Sequence, residues 1–496
     1  MANGGIIGTV NNPTSSTATG VWQQEEQYEA VRDGTWPQRS VFTTKSLRFN
    51  GGSSDYLTFT PSATPTGSAK TWTYSVWAKM AKENPGYFLA AGSGTQSKFI
   101  FGAYGGGDID ILTYEGYVIA ANTARLFRDP SAWYHVVLAC DTTQAVAANG
   151  IKLYINGVQQ TLTFNSISGQ NGYTQNTSLR VGTSGEPINI GKDINDSGYW
   201  NGYIAESILV DGQQLAPTSF GVANSDGVWT PIIYTGSYGN NGFNLQFENA
   251  AALGTDSSPN GNTFTANNLT SIDQSTDYPE VNYATANPLT LSTDATLTEG
   301  NLAITYGTAS TRRAVFGTIA MFNGKWFWET KITATSQTAV EINLGISNTM
   351  NPALIGNALV STNGFSVSYF TGGNIKIGTT TAQTGLGNLA VNDVIGCALD
   401  LTSNTIQFYK NGSTLGSAAS LSSQTTGELG GGNSGGWTPA WSCSSGGQTF
   451  TAGVNFGSPS FAISSGNADG NGYGNFEYAV PSGFYAINTA NLAEFG

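Results

Sequence analysis

The sequence predicts an all-β protein, two antiparallel β-sandwiches in tandem behind a short N-terminal arm and helix. Three observations carry that expectation. Apolar and polar residues alternate with a period of two through most of the chain, as in "TWTYSVWAKM" from Thr71 to Met80, and that period places one face of a strand on a core. The punctuation between these runs is Gly, Asn and Ser, with Gly alone accounting for 64 of 496 residues, and such residues supply turns. Finally, a phrase recurs. "GIKLYINGVQQ" (Gly150 to Gln160) and "TIQFYKNGSTL" (Thr405 to Leu415) each set Asn-Gly between alternating runs. Asn-Gly suits a type I′ turn, in which both central residues need positive φ, so each phrase reads as a hairpin. Each also follows an apolar strand carrying a Cys and an Asp, "HVVLACDTT" and "VIGCALDLTS".

Taken in order, residues 1–44 read as an arm and a short helix. The first nineteen are small and polar, and Gln23 to Val31 are good helix formers stopped at Asp33–Gly34. A helix so short is marginal alone and needs a surface, either its own first domain or a partner. Residues 45–216 form the first sandwich, with runs such as "SLRFNGGSSDYLTF", "AWYHVVLACDTT" and "YIAESILVDGQQL". Residues 217–284 are less regular, and read as a linker or as edge strands for either neighbour. Residues 285–496 form the second sandwich, with "GKWFWETKI", "VEINLGIS", "DVIGCALDL" and "FTAGVNFG"; its Gly/Ser-rich stretch from Ser417 to Gly447 reads as a long loop.

Composition narrows the function classes. Hydrophobic residues at 39% and aromatic residues at 11% exclude a disordered chain. Net charge is −13 with no Lys/Arg cluster, which argues against nucleic acid and anionic membranes as partners. No segment reaches membrane-spanning length, so no membrane insertion is expected. Three cysteines make no disulfide framework, and the missing signal sequence adds to an expectation of folding in a reducing cytoplasm.

The order of pieces carries a resemblance. Leu47 to Leu215 resembles a laminin-G-like domain of the concanavalin A-like superfamily, through "SLRFNGGSSDYLTF", "TWTYSVWAKM", "AWYHVVLACDTT", "IKLYINGVQQ" and "GYIAESILVDGQQL". Residues from about 285 to 490 resemble a SPRY domain through "GKWFWETKI", "LGISN", "NDVIGCALDLTSNTIQFYKNG" and "GVNFG". The whole arrangement, with the arm "GIIGTVNNPTSSTATGVWQQEEQYEA" and the ending "NADGNGYGNFEYAVPSGFYAINTANL", is similar to bacteriophage virion proteins of the tail-fibre kind. The resemblance implies a non-enzymatic virion surface protein, folded in the bacterial host cytoplasm. Its arm would hold other virion proteins, its loops would bind a host-surface glycan or protein, and it would assemble as a homo-oligomer such as a trimer. A capsid decoration or head fibre is the alternative, and a surface-glycan hydrolase the third.

Glucanases on this kind of sandwich place carboxylates close together on one strand, and Glu206, Glu329 and Glu341 each lack an acidic neighbour two or four residues on. His135 is the only histidine; a Ser-His-Asp triad would need it, but on "WYHVV" it reads as packed and hydrogen-bonded. "GGGDID" and "GELGGGNSGG" lack the Lys and helix of a phosphate loop. Calcium is the one plausible cofactor: in "NADGNGYGN" the oxygens of Asn467, Asp469 and Asn471 alternate, like the start of an EF-hand loop. Tyr478 stands where that loop needs Glu, so a plain Asn/Gly turn competes, and Asp193, Asn195 and Asp196 form a second, weaker candidate. Five aromatic residues in Gly/Asn-rich surroundings, Tyr104, Tyr173, Tyr199, Trp200 and Trp437, are candidates for ligand stacking, against a reading in which they fold onto the sandwiches.

Overall fold

The computed structural model describes residues 43–496 except 95–96, 104–105, 114–118, 167–171, 292–294, 308–313, 337–341, 351–365, 371, 423–435 and 444–448. The arm and helix expected over 1–44 lie almost wholly outside the described residues, as do Tyr104, Glu341 and much of the Gly/Ser-rich stretch.

The first sandwich packs two eight-stranded sheets face to face. One centres on the long strands Thr71–Met80, Trp133–Asp141 and Gly202–Asp211, with the hairpin strand Ile151–Ile155 outside Trp133–Asp141. The other runs through Gly86–Gly94, Ser97–Ala103 and Tyr56–Phe59. Alternation does what the sequence asks of it. Trp72, Tyr74, Val76 and Ala78 point between the sheets with Leu138, Phe88 and Phe101. Burying side chains of this size contributes about 1.5–3 kcal/mol each, which makes this layer the main source of stability.

The second sandwich pairs an eight-stranded with a six-stranded sheet. Lys325–Thr335 lies between Phe450–Asn455 and Val394–Asp400, and Thr405–Lys410 follows outside the latter. Trp326, Trp328, Cys397, Phe408 and Trp441 fill its core. Cys140, Cys397 and Cys443 are all buried outside any disulfide, as small apolar residues of a core.

The irregular stretch 217–284 is part of the first sandwich. Phe243–Leu245 pairs with Gly202–Asp211, Thr265–Asn267 with Tyr56–Phe59, and Gln274–Ser275 with Ser46–Phe49. It supplies edge strands, and its short runs between turns are what made it look like a linker.

The same stretch joins the sandwiches. Lys79, buried on the outer face of the first, donates to Asp277 Oδ2 at 2.8 Å, Asn282 Oδ1 at 2.7 Å and the Tyr283 carbonyl at 2.8 Å. Trp133 Nε1 donates to the other oxygen of Asp277 at 2.9 Å. Arg48, 0% exposed, reaches the Ile272 carbonyl at 2.9 Å and Asp273 at 3.2 Å, and in the second sandwich Glu299 at 3.4 Å and the Pro459 carbonyl at 3.2 Å. Tyr203 Oη donates to the Gly300 carbonyl and Asn301 Nδ2 to the Ala81 carbonyl. Buried cations with every nitrogen hydrogen-bonded persist because breaking one partner is expensive, which fixes one domain on the other.

Candidate binding groove between the sandwiches

The expected ligand-binding aromatics do not form a site. Trp200 is 0% exposed against Phe88, and Trp437 is 1% exposed in the second core. Both correct the expectation of exposed rings: the indoles fold inward onto the sandwich cores, Trp437 from a bridge to Met321. Tyr173 is half-buried, packs edge-on to Phe164 and donates its hydroxyl to the Gln144 carbonyl at 2.7 Å. Tyr199 is half-buried, its ring centroid 6.4 Å from that of Tyr56. Tyr104 lies outside the described residues.

The calcium candidate resolves as a turn. Asp469 Oδ1 accepts from the backbone N–H groups of Asn471 and Tyr473, both at 2.9 Å. Its Oδ2 accepts from the Ala486 N–H at 2.9 Å and Asn491 Nδ2 at 2.8 Å. Asn467 and Asn471 turn amide nitrogens, not oxygens, to their neighbours, donating to the Phe476 carbonyl and to Asn491 and Glu494. Asp469 thereby ties "NADGNGYGN" to the C-terminal helix Thr489–Phe495, with both carboxylate oxygens accepting from protein donors. At the weaker candidate, Asp193 takes Lys98 at 2.6 Å and Asp196 takes Lys192, so lysines stand where a metal would. No cluster of three or more His, Cys, Asp or Glu side chains suited to a metal occurs among the described residues, and no helix among them is long and apolar enough to cross a membrane.

What the fold does assemble is a groove of about 730 Å³ where the first sandwich, the stretch 217–284 and the C-terminal helix meet. Trp77 and Trp133 form its floor, Trp229, Tyr278 and Tyr473 its walls, and Asn156, Asn224, Glu280 and Thr489 its polar rim. Trp229 is clamped. Its Nε1 donates to His135 Nδ1 at 2.9 Å, and its ring stacks toward His135 with centroids 6.1 Å apart and planes at 21°. On its other side His135 stacks on Trp77 at 4.7 Å. Indole nitrogen only donates, so His135 Nδ1 is the acceptor and Nε2 carries the proton, donated to Ser75 Oγ at 2.8 Å. Burial holds His135 neutral by pushing its pKa down to about 3. The ring fits because Gly157 and Gly221 flank it; a Cβ on either would come within 2.5 or 2.6 Å of the indole.

Trp77 was not singled out from the sequence; the signal that could have found it is that it stands alone among Thr71, Thr73 and Ser75 on the strand face opposite Trp72, Tyr74 and Val76. Trp229, Tyr278, Glu280 and Tyr473 come from irregular segments without periodicity, and nothing local marks their convergence.

Comparison with known proteins agrees with this architecture. Residues 50–213 match the laminin-G-type family model described as the concanavalin A-like lectin/glucanases superfamily, and residues 325–430 match the SPRY domain. The chain therefore carries a laminin-G-like domain followed by a SPRY domain, a tandem β-sandwich module of the binding kind. Similar solved structures include the SPRY domain of human HERC1, at 16% identity over 34% of this chain and 96% of that one, with a TM-score of 0.28. The TRIM65 PSpry domain matches at 16% identity over 35% and 91%, with a TM-score of 0.24. No curated protein matches the chain.

Proposed function

We propose that this is a non-enzymatic attachment protein of a bacteriophage virion, a tail fibre or adhesin that holds a host-surface glycan in the groove between its sandwiches. The observation that carries the binding role is the clamped Trp229 facing a mixed aromatic and polar groove, since preorganised aromatic rings lose little entropy on binding. A non-enzymatic role is supported by the groove's lining: Glu280 is its one carboxylate among the described residues, whereas glycoside hydrolysis uses two. The virion setting rests on the resemblance of the arm and the C-terminal ending, and display in many copies would raise weak single-site affinity. Two measurements test the reading. Gold-labelled antibody against the chain should mark tail ends on intact particles; label on the head would make it a capsid decoration instead. Purified protein should adhere to host cells, with adhesion reduced by Trp229→Ala; adhesion indifferent to that change would remove the groove from the function.

A further inference from the structure

We infer that the side chains of Lys79 and Asn282 are poised to join in an intramolecular amide bond, with Asp277 as the proton acceptor. The bond would staple the first sandwich to its seam with the second. A nucleophile, an electrophile and a base meet here at one nitrogen. Lys79 Nζ lies 2.7 Å from Asn282 Oδ1 and 2.8 Å from Asp277 Oδ2. A carbonyl bond is about 1.2 Å long, so Nζ stands no more than about 3.9 Å from the Asn282 Cγ; reacting atoms held for attack stand about 3–3.5 Å apart. The amide has one orientation, because Asn282 Nδ2 donates to the Ser131 carbonyl at 2.6 Å while Oδ1 receives Lys79. Its backbone is fixed as well. The Asn282 N–H donates to Thr489 Oγ1 and the Thr489 N–H to the Asn282 carbonyl, both at 3.0 Å. The side-chain carbonyl is therefore kept facing the amine.

The surroundings suit the reaction. A lysine attacks only as the neutral amine, and a desolvated site with a base beside it supplies that form. Lys79 and Asp277 are each 1% exposed. The Tyr203 ring centroid is 5.6 Å from Nζ, and Trp133 Nε1 occupies Asp277 Oδ1 at 2.9 Å, leaving Oδ2 to the lysine. Burial raises the Asp277 carboxyl above its ordinary range, against the pull of Lys79 and its hydrogen bonds, which makes it a better proton acceptor. The atoms balance with no co-reactant. Asp277 takes one proton from the Lys79 ammonium, and the freed lone pair forms the Nζ–Cγ bond at Asn282. A second Nζ proton passes to Nδ2, the Cγ–Nδ2 bond breaks and ammonia leaves. One proton remains on Nζ and one on Asp277; nothing is oxidised or reduced. A buried ion pair becomes a neutral amide and a carboxylic acid, which relieves the cost of holding two charges away from water. Asn282 also lines the groove, which gives ammonia a way out.

The test is mass spectrometry of the full chain, unfolded after purification. The protein should weigh less than its sequence by one ammonia, and proteolysis should release a branched peptide joining Lys79 to Asn282. The branch identifies the bond, because ring closure at an Asn-Gly turn also releases ammonia but leaves its peptide linear. Lys79→Arg keeps the cation without the amine; it should restore the full mass, abolish the branch and run behind the parent on denaturing gels, where a closed loop is more compact. Asn282→Asp keeps the carbonyl and should give a branched peptide of the same mass, with water lost in place of ammonia. Asp277→Ala should slow appearance of the branch roughly tenfold or more, as loss of a general base does. A branch that forms in Asp277→Ala as fast as in the parent overturns the role of Asp277. Should that variant fail to fold, as judged by its thermal transition, the parent chain and Lys79→Arg decide the question. Linear peptides with unmodified Lys79 and Asn282 as the sole products, both from fresh protein and after prolonged warming at neutral pH, overturn the inference.

Discussion

The two Asn-Gly hairpins are the same device used on two different faces. Asn156 and Asn411 have φ of 48° and 49°, and Gly157 and Gly412 have 79° and 78°. Asn156 accepts from and donates to the backbone of His135; Asn411 does the same with Val394. Each glycine also seats an aromatic from a later segment, Trp229 on Gly157 and Tyr478 on Gly412. The register then makes Ser75 equivalent to Glu329, because Ser75 pairs with Val137 and Glu329 with Gly396. Here the faces part. In the first sandwich, Ser75 and His135 hold Trp229 by a neutral relay of hydrogen bonds. In the second, the buried carboxylate of Glu329 accepts from the Glu477 and Tyr478 N–H groups at 2.9 Å and from Asn455 Nδ2 at 3.1 Å. The neutral seal leaves a groove beside it, whereas the charged one draws the chain down onto the sheet. One framework can thus present either an open or a closed outer face, depending on a single strand position.

The comparison can be broken most severely at Lys79. Lys79→Met leaves the Asp277 carboxylate buried without its cation and should cost about 3–5 kcal/mol, read from denaturant midpoints. Its counterpart by register, Thr333, is exposed, and Thr333→Met should change stability by no more than about 0.5 kcal/mol. Next comes Glu329→Ala, which orphans two backbone N–H groups and should cost about 3 kcal/mol, against about 1 kcal/mol for Ser75→Ala. Equal losses would mean that the two faces are sealed alike. Gly157→Ala should cost about 2 kcal/mol, since positive φ and the clamped indole both oppose a methyl group; Gly412→Ala should cost about 1 kcal/mol, because Tyr478 is half-exposed and can shift. Asn156→Ala and Asn411→Ala should each cost about 1 kcal/mol and agree closely, as identical turns require.

A last contrast is one of sign. His135 titrates at about 3 in the fold and near its ordinary 6.5 when unfolded, so between those values the unfolded chain holds the extra proton and stability is lost as pH falls from 6.5. Burial instead raises Glu329 to about 7 from 4.5, against its three hydrogen bonds, so the folded state holds the extra proton and stability falls as pH rises from 4.5 to 7. Asp55 and Asp110, both raised to about 7 by burial, add to the second trend from within the first sandwich. Stability–pH curves of Glu329→Gln and His135→Asn, each subtracted from the parent, should therefore slope in opposite directions.

Strands, hairpins and the order of the two sandwiches were legible because period-two alternation and Asn-Gly turns are local signals. Edge strands within 217–284 were not, because three-residue strands carry too little alternation to separate from a loop. Trp200 and Trp437 misled for a related reason: Gly and Asn beside an aromatic say nothing of which way its ring faces. The groove was illegible as a whole, since Trp77, Trp229, Glu280 and Tyr473 are brought together by tertiary packing from opposite ends of the sequence. Asp469 shows that the same alternating Asn/Asp pattern can serve backbone N–H groups as readily as a cation.

The buried contacts of Arg48 and Lys79 also have a mechanical consequence. A pull applied across the two sandwiches would not be taken up by a slack tether, because Arg48 bonds Glu299 and the Pro459 carbonyl, Ser275 bonds Ser458, and Tyr203 bonds the Gly300 carbonyl across the joint. The load would fall on several buried hydrogen bonds, some charge-assisted, at once. The joint is a stiff elbow, and the groove beside it would keep its shape under tension.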